Sequence, residues 1–445
     1  MAENLIPGWG VCPEYAVGHF HVPSIVSPRA GIQATCTYHG NRKYALRQRL
    51  HLAMTPAWLQ EQHEDYLARW IQQERPDAIH LLGLGVNWLN QGGALVRIKQ
   101  RLGGFPCPWV YSSWGTDLDY FGRDPANQAG VQAVLGEIDV FISECERDFR
   151  LAKEFGFKGK FGGYFPAFGG TDLEEVNRYR LMGTSPEGRR MLTEVHEGRE
   201  GGNGYAFGEN TMVLNSKTND SGEAYAPQPP SRALRASVQN LHLDSVSDGS
   251  GKSSERKLLL VKGRDHANGG DPIGRAMTVM RALWRCAEDI KRAGCRVAIF
   301  QPDATVTAET HVLKAVTGLE VELLPRLPYD GLMRLMGAAR AVVAMTVNDG
   351  LPSILVEAMA FGALPLHSDL EPIREWITDG KNGLLVEAED VAMTAAALRR
   401  AVSDDAFVDQ AAEINSRLVA EKLEYVAVRQ RAIEMYERVV RGETL

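Results

Sequence analysis

Two carboxylates, Asp349 and Glu357, stand with seven residues between them in NDGLPSILVEAMAFGALPLHSD, residues 348–369. The stretch reads as a strand end, a tight turn at Asp349-Gly350, and a helix with Pro352 in its first turn and Gly362 at its end. Proline at the first helical position gives up an N–H that would have had no partner. The free N–H groups near Ser353 and Ile354 then face the mouth of a parallel sheet, where a phosphate or a sugar hydroxyl binds favourably. The spacing alone leaves two readings open. Either the pair grips a ligand, or Asp349 is a solvated cap and Glu357 a buried member of an ion pair.

A second set of residues lies in KGRDHANGGDPIGRAM, residues 262–277, directly after the apolar run KLLLV. A strand feeding a glycine-rich loop and then a helix is the physical form of a diphosphate cradle. Lys262 and Arg264 are placed to offset the charge of such a group, and Arg275 opens the helix. Other features carry less. Asp117-Leu118-Asp119 spells a D-x-D carboxylate pair but lacks the structural setting in which such a pair holds a metal, so no metal is expected. His19 and His21 lack companions for a zinc site. NRKYALRQRLH, residues 41–51, carries Arg42, Lys43, Arg47 and Arg49. It is either a solvated helix face or a contact for an anionic, lipid-linked molecule or membrane surface.

The elements that must position these residues alternate. In the second half, apolar runs at 257–261, 297–300, 321–324, 341–345, 364–366 and 383–386 read as strands. Helical spacing at 273–293, 309–316, 329–338, 352–361 and 391–402 separates them. Such alternation needs right-handed crossovers and gives a parallel sheet covered on both faces. The first half repeats the theme less regularly: a helix at 56–72 with Trp58, Leu59, Tyr66, Leu67, Trp70 and Ile71 on one stripe, then strands near 76–84, 109–113 and 138–143. Between the halves only sixteen of the 62 residues 196–257 are apolar, against 44% for the whole chain, which reads as a linker plus an insertion. The expected organisation is a first Rossmann-like domain over 1–175, a polar insertion over 176–255, a second Rossmann-like domain over 256–410, and a helix over 411–445 crossing back to the first.

Composition excludes several classes. The 445 residues carry 49 basic and 56 acidic side chains, a net −7. That balance does not suit neutralising a phosphate backbone, so no nucleic-acid partner is expected. No apolar run reaches the length of a membrane span, and the start MAENLIPGWG lacks the pattern of a secretory leader. Six cysteines without a C-x-x-C pair fit free thiols in a reducing compartment. A cytoplasmic protein, with at most peripheral membrane contact, is the expectation.

The run DGLPSILVEAMAFGALP resembles the signature of family 4 glycosyltransferases, retaining enzymes of the GT-B fold, in which an E-x7-E element sits in E-G-F-P-x-x-x-x-E-A-M-A-x-G-x-P. Here Asp349 stands for the first glutamate. The resemblance continues through REWITDGKNGLLVEAED (374–390) and, more weakly, across about 250–410. In the first half it rests on short matches: PDAIH (76–80), WGTD (114–117, where many members have H-G-x-D) and FPAFGGTDL (165–173). Pro7-Gly8-Trp9-Gly10 is a lone G-x-G. The resemblance implies an α/β protein of GT-B type, two Rossmann-like domains facing a cleft. It implies sugar transfer from a nucleoside diphosphate to the hydroxyl of a sugar-containing or lipid-linked acceptor, with retention and without a metal or other cofactor. By the family pattern Glu357 binds the donor ribose. Asp349 and the amides of Gly350, Leu351 and Ser353, beside Pro352, hold the transferred sugar and its phosphates. Lys262, Gly263, Arg264 and Arg275 form the phosphate loop. Which of Lys262, Arg264 and Arg275 replaces the usual lysine stays open. Trp114 and Asp117 face the acceptor side. An epimerase or phosphorylase of the same fold, or a non-catalytic sugar-nucleotide binder, are the alternatives.

Overall fold

The computed structural model describes residues 56–84, 89–184, 255–266, 272–324 and 327–445, with strand segments at 8–9, 21–22, 24–27 and 31–33. Most of the expected insertion (185–254), the basic stretch 41–51 and His19 lie outside the described residues, as do Pro7 and Gly10. Gly8–Trp9 (β1) pairs antiparallel with His21–Val22 (β2).

The first domain is built on Ser24–Ser27 (β3), Gly31–Gln33 (β4), Ala78–Leu82 (β5), Trp109–Ser112 (β6), Val140–Ser143 (β7) and Lys160–Tyr164 (β8), in spatial order β4-β3-β5-β6-β7-β8. Strands β5 to β8 run parallel, while β3 is antiparallel to both its neighbours. The period of two along each strand sorts the side chains into two layers. Ile79, Leu81, Trp109, Tyr111 and Phe141 face one way, against Leu67 and Ile71 of α1 (Pro56–Glu74) and Leu95 and Ile98 of α2 (Leu89–Leu102). Val110, Val140 and Ile142 face the other way, onto Met435, Tyr436 and Val439. This domain also carries α3 (Pro125–Leu135), with Asp124 as its cap, α4 (Glu146–Glu154) and a π-helical turn at Asp117–Phe121.

The second domain carries Leu258–Lys262 (β9), Arg296–Phe300 (β10), Val321–Leu323 (β11), Ala339–Ala344 (β12), Leu364–Ser368 (β13) and Leu384–Val386 (β14), all parallel, in order β11-β10-β9-β12-β13-β14. Its strands are continuous apolar runs because both faces are covered. Leu259 and Val261 enter one core, with α6 (Ala276–Arg292), α7 (Ala304–Thr317) and α11 (Val391–Ser403). Leu258 and Leu260 enter the other, with α5 (Leu173–Thr184), α8 (Tyr329–Ala338), α9 (Ser353–Ala360) and the short α10 (Glu371–Arg374).

Two expected boundaries move. The break at 175/176 falls inside α5, whose Val176 and Tyr179 are buried in the second domain's core. The Tyr179 hydroxyl donates to Asp330 at 2.7 Å. The chain therefore crosses over before α5. The single helix expected over 411–445 is two. The first, α12 (Asp405–Lys422), stays on the second domain against α9. A turn at Leu423-Glu424 follows, with the Glu424 carboxylate capping α13 (Tyr425–Val440) through the Ala427 amide. At this point the outgoing and returning chains are joined. The Thr171 amide donates to Leu423 O at 2.7 Å, and the Tyr425 amide donates to Thr171 O at 2.9 Å. Helix α13 then supplies the second apolar layer of the first domain. Its Tyr436 hydroxyl meets Nδ1 of His80, whose Nε2 meets the Ser112 hydroxyl at 2.7 Å. Burial pushes His80 down to about 3, so it is neutral.

Candidate active site

Strands β9 and β12 are neighbours at the point where the order of the second sheet reverses, the crevice where open α/β sheets bind ligands. The loops leaving them are zipped together. Arg275 N donates to Met345 O at 2.8 Å and Val347 N to Ile273 O at 2.9 Å. Lys262 ends β9. At Gly263 a side chain would press into Ile299 and the backbone of Pro302, so only glycine lets the loop pass. Lys262 lies within the electrostatic reach of Glu357 and His367. Burial pushes the Glu357 carboxyl up to about 7 while Lys262 pulls it back. Burial pushes His367 down to about 4, and Lys262 adds to that. Sequence reasoning missed His367, because a histidine ending a buried strand carries no local signal.

Helix α9 opens toward this crevice. Pro352 is its N-cap in extended conformation (φ −65°, ψ 131°), not the first helical residue. The Leu355 and Val356 amides return to Pro352 O, and no side chain caps the helix. Among the described residues the amides of Ser353 and Ile354 have no protein acceptor. The helix ends at Gly362 with φ +68°.

In the basic loop, the described residues are engaged by the protein itself. Buried Asp265 takes the Met277 amide at 2.8 Å, and Arg264 O takes the Ala276 amide at 3.2 Å, so the start of α6 is already filled by the protein. Arg275 turns away, its Nε donating to Glu389 at 2.7 Å and its Nη1 to Pro272 O and Gly274 O. That carboxylate stands 114 residues along the chain. Arg264 donates to Gln301, a residue with φ +52° at the end of β10. Lys262 is the cation of the three that lies beside Glu357.

On the first domain the turn after β6 meets the loop of Asp349. Asp117 is buried, its Oδ2 accepting from Leu84 N (2.8 Å), Tyr111 OH (3.0 Å) and Trp114 N (3.0 Å). These bonds make it a staple for the turn that presents half-buried Trp114. Asp119 accepts from Arg123 and, across the two domains, from Asn348 Nδ2 at 2.5 Å. The two carboxylates of the D-x-D thus serve different partners. Gly115 and Gly350 approach backbone to backbone, and a Cβ on Gly115 would collide with the Gly350 amide. Sequence reasoning also missed two residues beneath this contact. Buried Arg147 donates to Gly115 O and pairs with Asp148 and Asp119. Glu144 takes the amides of Gly115 and Ala167. Further out, Arg150 grips Glu371 with two bonds (2.7 and 2.9 Å) and the Glu146 amide donates to Glu375.

This arrangement can be set beside known proteins. The structure overlays α,α-trehalose 6-phosphate synthase from Burkholderia multivorans with a TM-score of 0.58 at 13% identity, covering 95% of this chain and 89% of that one. Sucrose-phosphate synthase from Thermosynechococcus elongatus gives 0.56 at 13% identity, covering 88% and 82%. The Anabaena protein HepE, solved with UDP-glucose, gives 0.56 at 13% identity, covering 88% of each. The fold is GT-B. Residues 293–417 match the family model described as glycosyl transferases group 1. Two curated relatives are both D-inositol 3-phosphate glycosyltransferases. That of Corynebacterium diphtheriae is 25% identical over 236 residues, 48% of this chain and 55% of the relative. That of a Nocardioides species is 33% identical over 96 residues, 22% and 21%. The matches thus span about half of one relative and a fifth of the other. Within the GT-B frame, the crevice at β9 and β12 and the Gly115–Gly350 contact both lie where the two domains face each other.

Proposed function

We propose that this chain is a glycosyltransferase that moves a sugar from a nucleoside-diphosphate donor to a hydroxyl of a sugar-containing or lipid-linked acceptor, with retention. The carrying observation is the uncapped N-terminus of α9 at the sheet's reversal point, with Lys262 and Glu357 beside it. Two free amides and a helix dipole favour a phosphate there. In this reading Glu357 accepts the ribose hydroxyls. Asp349 and the amides of Leu351 and Ser353 hold the sugar and its phosphate, with the Gly350 amide, which donates to Asp349 Oδ1 at 2.9 Å, joining them once that bond opens. Lys262, helped by Arg264 once it leaves Gln301, offsets the charge that builds on the departing diphosphate. Such preplaced charge acts on the transition state more than on the bound substrate. Trp114 lines the acceptor side, in a turn fixed by Asp117. The structural neighbour solved with UDP-glucose supports a nucleotide-sugar donor. A cytoplasmic setting belongs to the same proposal.

Calorimetric titration with UDP, UDP-glucose and a panel of other nucleotide sugars tests this reading. Binding of at least one, followed by NMR of the product anomer, is the expected result. No binding across the panel overturns it. Turnover should also persist in EDTA; loss that magnesium or manganese restores would put a metal in the reaction.

A further inference from the structure

We propose that Glu144 is a positioning residue for transfer between the domains, clamping the acceptor-side turn at Gly115 against the donor loop at Asp349-Gly350. The proposal rests on the reading that transfer occurs at this junction. Glu144 follows β7 directly, and its two oxygens tie together the chain beyond two other strands. Oε1 accepts from Ala167 N, past β8, at 3.0 Å, and Oε2 accepts from Gly115 N, past β6, at 3.3 Å. From the other domain the Gly350 Cα faces Oε2 so closely that a Cβ there would collide with it and come within 2.9 Å of Gly115 Cα. One carboxyl therefore sits under the place where the two backbones touch.

The charge around it sets the pH at which the junction can close. Asp349 faces it from the donor loop and Asp148 from α4. Arg147, which reaches the carbonyl of the same Gly115, is engaged by Asp148 and Asp119. Glu375, beyond α10, takes the Glu146 amide and faces Asp148. Glu144 forms no ion pair among the described residues. Burial, then Asp349 and Asp148, push its carboxyl up to about 8, against the pull of the two amides. At neutral pH the group is mostly protonated, and the junction closes without a second negative charge beside Asp349. Above about 8 ionisation sets two carboxylates against each other across the domains, and the clamp loosens.

Small-angle scattering of the full chain from pH 6 to 10 tests this on the wild type, Glu144→Gln and Glu144→Ala. The wild type should expand with a midpoint near 8. Glu144→Gln, which cannot ionise but keeps an acceptor for only one of the two amides, should show no transition near 8, and Glu144→Ala should be expanded throughout. A wild type without the transition, or the same transition in Glu144→Gln, overturns the proposal. UDP-glucose calorimetry on the same samples keeps the two readings apart. Wild type that binds at pH 7 should lose affinity above pH 8 while Glu144→Gln retains it, and identical pH profiles would count against the clamp. Failure of the wild type to bind at any pH would count against the donor reading alone, since the scattering decides the clamp by itself.

Discussion

Two helices of the second domain begin beside the same crevice, and they begin differently. At α6 the first amides are met by Arg264 O and the buried Asp265 carboxylate. At α9 the N-cap is a proline with no side chain to offer, and the amides of Ser353 and Ile354 lack protein acceptors. A helix start offers the same dipole in either case. What separates a structural start from a binding start is whether the chain brings its own anion. The glycine-rich loop before α6 advertised a phosphate cradle in sequence, and an aspartate in that loop takes the Met277 amide at the helix start.

The largest effect that sharpens this comparison is expected where α9's loop meets the other domain. Gly115→Ala places a methyl into the Gly350 backbone, forcing the donor loop away from the acceptor turn. A displacement of about 1 Å costs on the order of 100-fold in rate, so kcat should fall by at least that much while the melting temperatures of the separate cores change little. Unchanged kcat would show that this contact does not position the reaction.

Next is Glu357→Ala, which should weaken donor binding by about 1.5–3 kcal/mol, as expected for hydrogen bonds to a charged acceptor. Asp265→Ala should do the opposite. It removes a cap and lowers stability by about 0.5–2 kcal/mol, with donor affinity retained. A chemical denaturation curve beside a binding isotherm separates the two, and loss of affinity in Asp265→Ala would make the α6 start part of the site.

The smallest effect is in pH. Glu357 sits near 7, so it holds its proton below that and is a carboxylate above it. Donor affinity should therefore rise with pH through about 7. Lys262→Met removes the charge that pulls Glu357 down, and its midpoint should move upward. A midpoint that stays in place would separate Lys262 from Glu357.

The comparison also marks what was legible in the sequence. The continuous apolar runs of β9 to β14 announce a sheet buried on both faces, and the DGLPSILVE run announces the loop and helix at its mouth. Both are local signals. The diversion of Arg275 to Glu389 was not legible, because it depends on a residue that only the closed sheet brings near. Glu144, Arg147 and His367 were hidden for the same reason: the groups each one meets are brought near only by the folded chain. The break at Leu423-Glu424 escaped because neither residue is a helix breaker. It shows only when the returning chain pairs with Thr171.

The central claim is that the open start of α9, with Glu357 behind it, holds the nucleotide donor while the filled start of α6 does not. Isothermal titration of UDP-glucose into the wild type, Glu357→Ala and Asp265→Ala at pH 8 measures this directly. The predicted result is a measurable affinity in the wild type, a Kd weakened about 10- to 150-fold in Glu357→Ala, and a Kd unchanged in Asp265→Ala. Equal affinities for the wild type and Glu357→Ala, or a loss in Asp265→Ala as large as in Glu357→Ala, would contradict it.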